Sequence, residues 1–298
     1  MVEVIKTTGD MKARAALSRA RGDTVGFVPT MGALHEGHLS LIRRARAEND
    51  VVIISIFVNP VQFDRNNDYQ GYPRPLERDL AMASEEGVDV AFVPDVEQVY
   101  PEGYSTFIEV RGSLTDVLCG ASRPGHFRGV TTVVTKLFNI IRPDRAYFGQ
   151  KDLQQAAIIK RLVRDLNMGV EVVTLPTVRE ADGLALSSRN RHLSGEQRRT
   201  AVSIHRALTR ATELLISGEM DTAVIVCEVR GVLNEGGIAR IDYVSVVDPE
   251  TLEEVSEARP GAVVAVAAWV GDIRLIDNTA LGVGPESQLF MHLNVETV

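Results

Sequence analysis

Cysteine is nearly absent from this chain: there are two in 298 residues, Cys119 and Cys227. They lie far apart, so they supply neither a disulfide framework nor a metal-ligand pair, and a reducing compartment is the natural setting. A lone thiol of this kind is expected to serve as a small buried hydrophobe. Long apolar runs are missing too, and the longest late one, Ala262 to Val270, is too short to cross a bilayer. The opening stretch MVEVIKTTGDMKARAALSRARGD carries acids early and has no apolar core. Neither a secretory leader nor an anchor is expected, which makes the chain cytoplasmic. Positive charge is in deficit, with 32 Lys and Arg against 40 Asp and Glu and a net charge of −8. That balance argues against nucleic-acid and anionic-membrane partners, which need a basic face to displace counterions. An anionic substrate must therefore meet a locally basic pocket. Hydrophobic residues at 45% and charged residues at 24% fit a soluble chain of roughly two domains, with no internal repeat and no large disordered stretch.

What is present centres on VGFVPTMGALHEGHLSLI, Val25 to Ile42. The run Val25 to Val28 predicts a strand covered on both faces that ends at Pro29. His35-Glu36-Gly37-His38 then opens a helix whose Leu39, Leu41, Ile42 and Ala45 are spaced to pack on a sheet. Two histidines three residues apart fall on one face beside unpaired helix N–H groups, an arrangement that favours an anion. The same tetrapeptide also serves as a simple helix cap, and its residues alone leave both uses open.

Along the rest of the chain, Met11 to Arg21 reads as a surface helix, and the β-branched run Val51 to Val58 as a second parallel strand completing a βαβ unit. Asn59-Pro60-Val61-Gln62 follows at that strand's carboxyl end, where open α/β sheets bind ligands. Asp64 to Pro75 has no apolar period and reads as a long loop, and Leu76 to Gly87 as a helix. Its acids Glu77 and Asp79 either face solvent or approach a magnesium ion. Val88 to Val93 is a third strand. The Gly- and Pro-rich stretch Leu114 to Phe127 is a loop with Arg123, His126 and Arg128 on and beside it, equally readable as a lid over anionic substrates or as a basic surface loop. After the helical stretch Val130 to Ile141, the strand Ala146 to Phe148 leads into Gly149-Gln150-Lys151-Asp152 and a helix from Leu153 to Leu166. Val170 to Val173 is a further strand. The segment ending Leu186-Ser187-Ser188-Arg189-Asn190 is rich in hydroxyls and carries a guanidinium able to bind phosphate oxygens bidentately. Ser194 and Gln197 predict a capping box for a helix reaching Ser217. Thr222 to Leu233 predicts another helix, and three extended stretches follow at Ile241 to Val247, Ala262 to Trp269 and Arg274 to Ala280. The expected fold class is α/β: a Rossmann-like parallel-sheet domain over 1–177, a smaller α+β lid domain over 178–280, and a tail, 281–298, with no assigned role.

Taken in order, PTMGALHEGH, FVNPVQF, FGQKDLQQ and LSSRN resemble the pantoate:beta-alanine ligases, within the HIGH-type nucleotidyltransferases, from about Val25 to about Ala280. The resemblance implies ATP-dependent condensation of pantoate with beta-alanine to pantothenate, AMP and pyrophosphate through a pantoyl adenylate. It implies that ATP is held by Met31, Gly32, His35, His38, Gly149, Lys151, Asp152 and Val178, and by Leu186, Ser187, Ser188 and Arg189. Asn59, Gln62 and Gln155 would hold pantoate, and Gln62 would also face beta-alanine. His38, His35 and Lys151 carry the catalytic expectation. By analogy His38 is the proton donor, while stabilisation of phosphate charge is an equally good physical role. Mg2+ is expected to arrive on the ATP phosphates, with Asp79 the one protein ligand kept as a candidate. Arg78 beside Asp79, where relatives often have neighbouring acids, puts that ligand in doubt. Leu186 stands where many relatives carry Met, a swap of similar volume. A homodimer is implied in the same way. Two other readings of the same pocket are a plain nucleotidylyltransferase and a nucleotide sensor without chemistry.

Overall fold

The β-branched runs become a six-stranded, wholly parallel sheet in a computed structural model that describes residues 2–63 and 69–282. The chain divides into two units. The first is Met1–Arg179 with Leu186–Arg191, and the second is Glu180–Ala185 with His192–Val298. The tail 283–298 and residues 64–68 of the expected long loop lie outside the described residues.

In the first unit the strands are β1 (Glu3–Ile5), β2 (Val25–Thr30), β3 (Val51–Ile56), β4 (Val90–Phe92), β5 (Arg145–Gly149) and β6 (Glu171–Leu175), in the order β1-β4-β3-β2-β5-β6. The helices of ten or more residues are α1 (Thr8–Arg21), α2 (Glu36–Glu48), α3 (Leu76–Glu85), α4 (His126–Ile141) and α5 (Leu153–Asp165), among the described residues. Successive strand residues point to opposite faces, and β3 shows this directly. Val51 and Ile53 pack with Met11 of α1, Phe138 of α4 and Ile159 of α5, while Val52 and Ile54 pack with Ile42 of α2 and Ala83 of α3. Both faces are covered, so the strands are apolar throughout rather than alternating.

Three details depart from the sequence reading. The stretch Leu114 to Phe127, read as a loop, folds into the short helices Ser113–Asp116 and Leu118–Ser122 and the start of α4. The three-residue edge strand β1 has too short an apolar signal to be seen in advance. And β2 does not end at Pro29 but runs through it to Thr30. The reason lies in which neighbour each backbone group faces. Thr24 and Thr30 accept from β3 and its flanks, whereas Val25 accepts from Asp144 on the β5 side. Pro29, two pairs of residues beyond Val25, therefore turns its missing N–H toward β5, whose pairing with β2 has already stopped at Phe27. No ladder bond is lost. Strand order also reverses between β2 and β5, so their diverging carboxyl ends open the crevice where such sheets bind ligands.

The second unit packs α6 (Gly195–Ile216) and α7 (Thr222–Glu235) on an antiparallel sheet of β7 (Arg240–Val247), β8 (Val263–Val270) and β9 (Ile273–Ala280). Its core joins Ile204, Leu208, Ile225 and Val229 to Val244, Val246, Val264 and Val266. The expected capping box starts α6: the Ser194 hydroxyl accepts from Gln197 N–H and the Gln197 side chain accepts from Ser194 N–H.

Candidate active site

The turn leaving β2 is built on two successive left-handed residues, Gly32 (φ 79) and Ala33 (φ 51), the second of which is disfavoured for a residue with a Cβ. Thr30 bridges its start, donating to Ser55 O at 2.7 Å and accepting from Gly32 N–H at 3.1 Å. Asp79 holds its far side. One carboxylate oxygen accepts from Ala33 N–H at 2.7 Å and the other from Leu34 N–H at 2.8 Å, in a concavity of backbone donors of the kind that binds anions. Asp79 is 1% exposed, so it belongs to no solvated helix face, and both of its oxygens are committed to the turn. For a residue considered as a magnesium ligand, this geometry fits holding the loop. Among the described residues no group of three His, Cys, Asp or Glu side chains has metal-site geometry. Both Asp79 oxygens already accept from backbone N–H groups, so the carboxylate considered for Mg2+ is engaged in the turn.

The turn delivers His35 as the N-cap of α2 and His38 one turn in, their rings 4.1 Å apart and tilted by 39°. Gly37 gives the His35 ring room between them, because a Cβ there would lie 3.0 Å from that ring and press on it. His38 Nδ1 accepts from His35 N–H at 3.4 Å, which leaves the ring hydrogen on Nε2 as a donor. Burial in the cleft, then the neighbouring His35, then the Lys151 charge push the His38 pKa down to about 3. The imidazole is thus a neutral N–H donor at pH 7 when no anion is bound.

Beyond β3, Asn59 and Gln62 flank a single 3-10 turn, Pro60–Gln62, and Asn59 accepts from Val61 N–H as its cap. Asn59 is buried and donates to Gln62 Oε1 at 3.0 Å and to Gly129 O at 3.1 Å, while Gln62 Nε2 reaches Met31 Sδ at 3.2 Å. α4 comes this close only because Gly129 has no side chain: a Cβ would sit 2.5 Å from Val61 O. The basic stretch left open in the sequence divides here. Arg123 and His126 reach the Gln62 backbone oxygen, at 3.4 and 2.8 Å, and line the cleft. Arg128 instead stacks over Phe107, 4.8 Å from its centroid.

From the other side of the sheet reversal, Lys151 and Asp152 follow β5 in a short 3-10 turn, and α5 presents Gln155. Its neighbour Gln154 points away, buried, accepting from Cys119 N–H and donating to Leu114 O and Val117 O, which pins the Leu114–Cys119 segment. Val178 and the returning Leu186, Ser187, Ser188 and Arg189 belong to the same unit. One cleft is lined by Met31, His35, His38, Asn59 and Gln62, by Gly149, Lys151, Asp152 and Gln155, and by Val178 and Leu186 through Arg189. Of the residues expected to hold substrate or metal, Gly32 and Asp79 alone are not in its wall. They shape the turn beneath it.

Sequence reasoning missed Tyr72, an aromatic in the polar loop, which lines the cleft and hydrogen-bonds Ser188. Burial raises its pKa and keeps it a phenol. Tyr100 reads in the sequence only as part of a turn, yet its hydroxyl donates to Asn59 Oδ1 at 2.7 Å. Of the two cysteines, Cys119 is buried as expected but Cys227 is exposed. No described helix is long and apolar enough to cross a membrane.

The sequence profile of the family described as pantoate-beta-alanine ligase matches residues 3–280. A pantothenate synthetase from Moorella thermoacetica is 56% identical over 282 residues, 95% of this chain and 99% of that one. The crystal structure of a pantothenate synthetase from Thermus thermophilus superposes with a TM-score of 0.89 at 49% identity, covering 94% of this chain and 99% of its own. A pantoate-beta-alanine ligase from Francisella tularensis, solved in complex with beta-gamma ATP and beta-alanine, gives a TM-score of 0.78 at 37% identity, covering 94% and 98%.

Proposed function

The chain belongs to the pantoate-beta-alanine ligase family, and from that premise we propose that it joins pantoate to beta-alanine through a pantoyl adenylate, releasing pyrophosphate and then AMP. The observation that carries this reading is the convergence in one cleft of an imidazole pair, a lysine, a hydroxyl-rich segment and three amide side chains.

A carboxylate oxygen is a poor leaving group, so amide formation in water requires activation. In the first step a pantoate carboxylate oxygen attacks the α-phosphorus of ATP, and the bond to the β-phosphate oxygen breaks to release pyrophosphate. Charge grows on phosphate oxygens, and preorganised donors are what lower such a barrier. His35, His38 and Lys151 supply donors from the ends of β2 and β5, and Ser187, Ser188 and Arg189 from the returning segment. Met31, Gly32, Gly149, Asp152, Val178 and Leu186 shape the nucleotide's seat. The lowered pKa of His38 favours a neutral Nε2–H donor on entry, whose proton affinity rises once a polyanion lies against it.

In the second step the amine of beta-alanine attacks the acyl carbon, AMP departs with the bonding pair, and the ammonium proton is lost. Asn59, Gln62 and Gln155 hold pantoate, with Gln62 also facing the incoming amine substrate. Mg2+ carried by the ATP phosphates would share in neutralising their charge. The enzyme acts in the cytoplasm as a homodimer, which sedimentation measures.

Exchange of labelled pyrophosphate into ATP that requires pantoate, and AMP release that waits for beta-alanine, tests the pathway. His38→Ala should lower the exchange rate by about two or three orders of magnitude with ATP affinity less affected. Exchange without pantoate, or wild-type turnover in His38→Ala, overturns the assignment.

A further inference from the structure

We infer that Tyr100 is a positioning residue which, together with Val61 and Gly129, holds the Asn59 amide that draws Gln62 Oε1 to itself and leaves the Gln62 amide hydrogens for the substrate side of the cleft. This rests on the reading above that pantoate lies against Gln62.

The argument runs through hydrogen-bond polarity. The Asn59 amide is saturated: its Oδ1 accepts from Tyr100 O–H at 2.7 Å and Val61 N–H at 3.4 Å, and its Nδ2 donates to Gly129 O at 3.1 Å and Gln62 Oε1 at 3.0 Å. A backbone N–H can only donate and a backbone C=O can only accept, so Val61 and Gly129 settle which end of Asn59 is oxygen. With that fixed, Tyr100 must donate and Gln62 must turn its oxygen to Asn59. Both Nε2 hydrogens of Gln62 are then directed away from Asn59, one of them toward Met31 Sδ at 3.2 Å on the cleft wall. With its oxygen turned toward Asn59, the side chain offers the cleft chiefly its amide hydrogens, which suit a carboxylate or carbonyl oxygen better than an ammonium.

Of the two donors to Asn59 Oδ1, Tyr100 O–H at 2.7 Å is well within hydrogen-bond distance and Val61 N–H at 3.4 Å is long, and the tyrosine ring is itself held. Phe57 packs 6.3 Å away, Tyr104 lies edge-on at 4.9 Å, and the Lys136 ammonium sits 5.5 Å from its centroid. Burial and the adjacent Tyr104 raise the Tyr100 pKa, so the hydroxyl keeps its proton throughout the working range.

The test is steady-state kinetics of AMP formation with pantoate and ATP varied separately, on Tyr100→Phe, Gln62→Glu and Gln62→Ala. Tyr100→Phe should raise the pantoate KM about five- to tenfold, the effect of one buried hydrogen bond, with kcat within about twofold and the ATP KM unchanged. Gln62→Glu keeps an oxygen for Asn59 but removes every hydrogen from the substrate side, and should raise the pantoate KM at least about a hundredfold. A normal pantoate KM in Gln62→Ala removes pantoate from this wall and overturns the inference with the reading it rests on. A raised KM in Gln62→Ala with an unchanged one in Tyr100→Phe overturns the inference alone. So does a Gln62→Glu enzyme that still binds pantoate, or a Tyr100→Phe enzyme whose kcat falls while neither KM moves.

Discussion

Removing the Asp79 carboxylate separates a loop-holding residue from a metal ligand. In Asp79→Ala two backbone donors, Ala33 N–H and Leu34 N–H, lose acceptors at 2.7 and 2.8 Å in a site that is 1% exposed. An orphaned buried donor costs roughly 1–3 kcal/mol. Two of them, with incomplete access of water, give about 4 kcal/mol, or a fall in Tm of roughly 8–16 °C for a unit of this size. Asp79→Asn keeps one acceptor but sets an NH2 group against the other N–H, so about 2–3 kcal/mol should be lost. Released from Asp79, the left-handed Ala33 can relax, and the two histidines downstream lose their fixed entry into α2. Pyrophosphate exchange should fall about ten- to a hundredfold in both variants, at any magnesium concentration. The assay is thermal unfolding followed by circular dichroism, paired with exchange measured across a magnesium titration. Unchanged unfolding of Asp79→Asn, with activity restored by excess magnesium, would refute the reasoning and return Asp79 to the metal.

Two further outcomes follow from the same site. The unfolded His38 imidazole gains its proton below its ordinary pKa of 6.5, while the folded one stays neutral down to about 3. Its folded pKa is depressed, so the stability it contributes is present above pH 6.5 and is lost as pH falls toward 3. Allowing for the ring's partial exposure, chemical denaturation at pH 5 should show wild type weakened by about 1–2 kcal/mol more than His38→Gln, relative to pH 7. A wild-type-minus-variant difference that ignores pH contradicts this. Gly129→Ala would drive a Cβ to 2.5 Å from Val61 O and 2.8 Å from Gln62 Cα, both backbone atoms. We expect about 1–3 kcal/mol of destabilisation together with a raised pantoate KM, and wild-type values of both would show that α4 can yield there.

Elements whose signal is local were legible in the sequence. Val51 to Ile54 is continuous and β-branched, and it became a strand buried on both faces. Leu39, Leu41, Ile42 and Ala45 carry the helical period, and all four are buried. Ser194 and Gln197 make the capping box that their spacing foretells. What stayed hidden depends on partners distant in the chain. Asp79 meets Ala33 across 46 positions, and Tyr100 meets Asn59 across 41, so neither neighbourhood hints at the contact. Pro29 misled for a related reason: proline ends a strand only when both flanks are paired, and one of its flanks was already free. The candidate site was found in outline because its members sit at strand ends and helix starts, places that sequence punctuation marks. The residues that orient them carry no such mark.

The proline in β2 also bears on how the cleft behaves when empty. Two neighbouring parallel strands with matching donors and acceptors tend to zip together, and an ordinary residue at position 29 would offer a hydrogen toward β5. Proline withholds it, so one bond that could draw β2 and β5 together at that point cannot form. A ligand arriving there does not compete with a hydrogen bond from position 29.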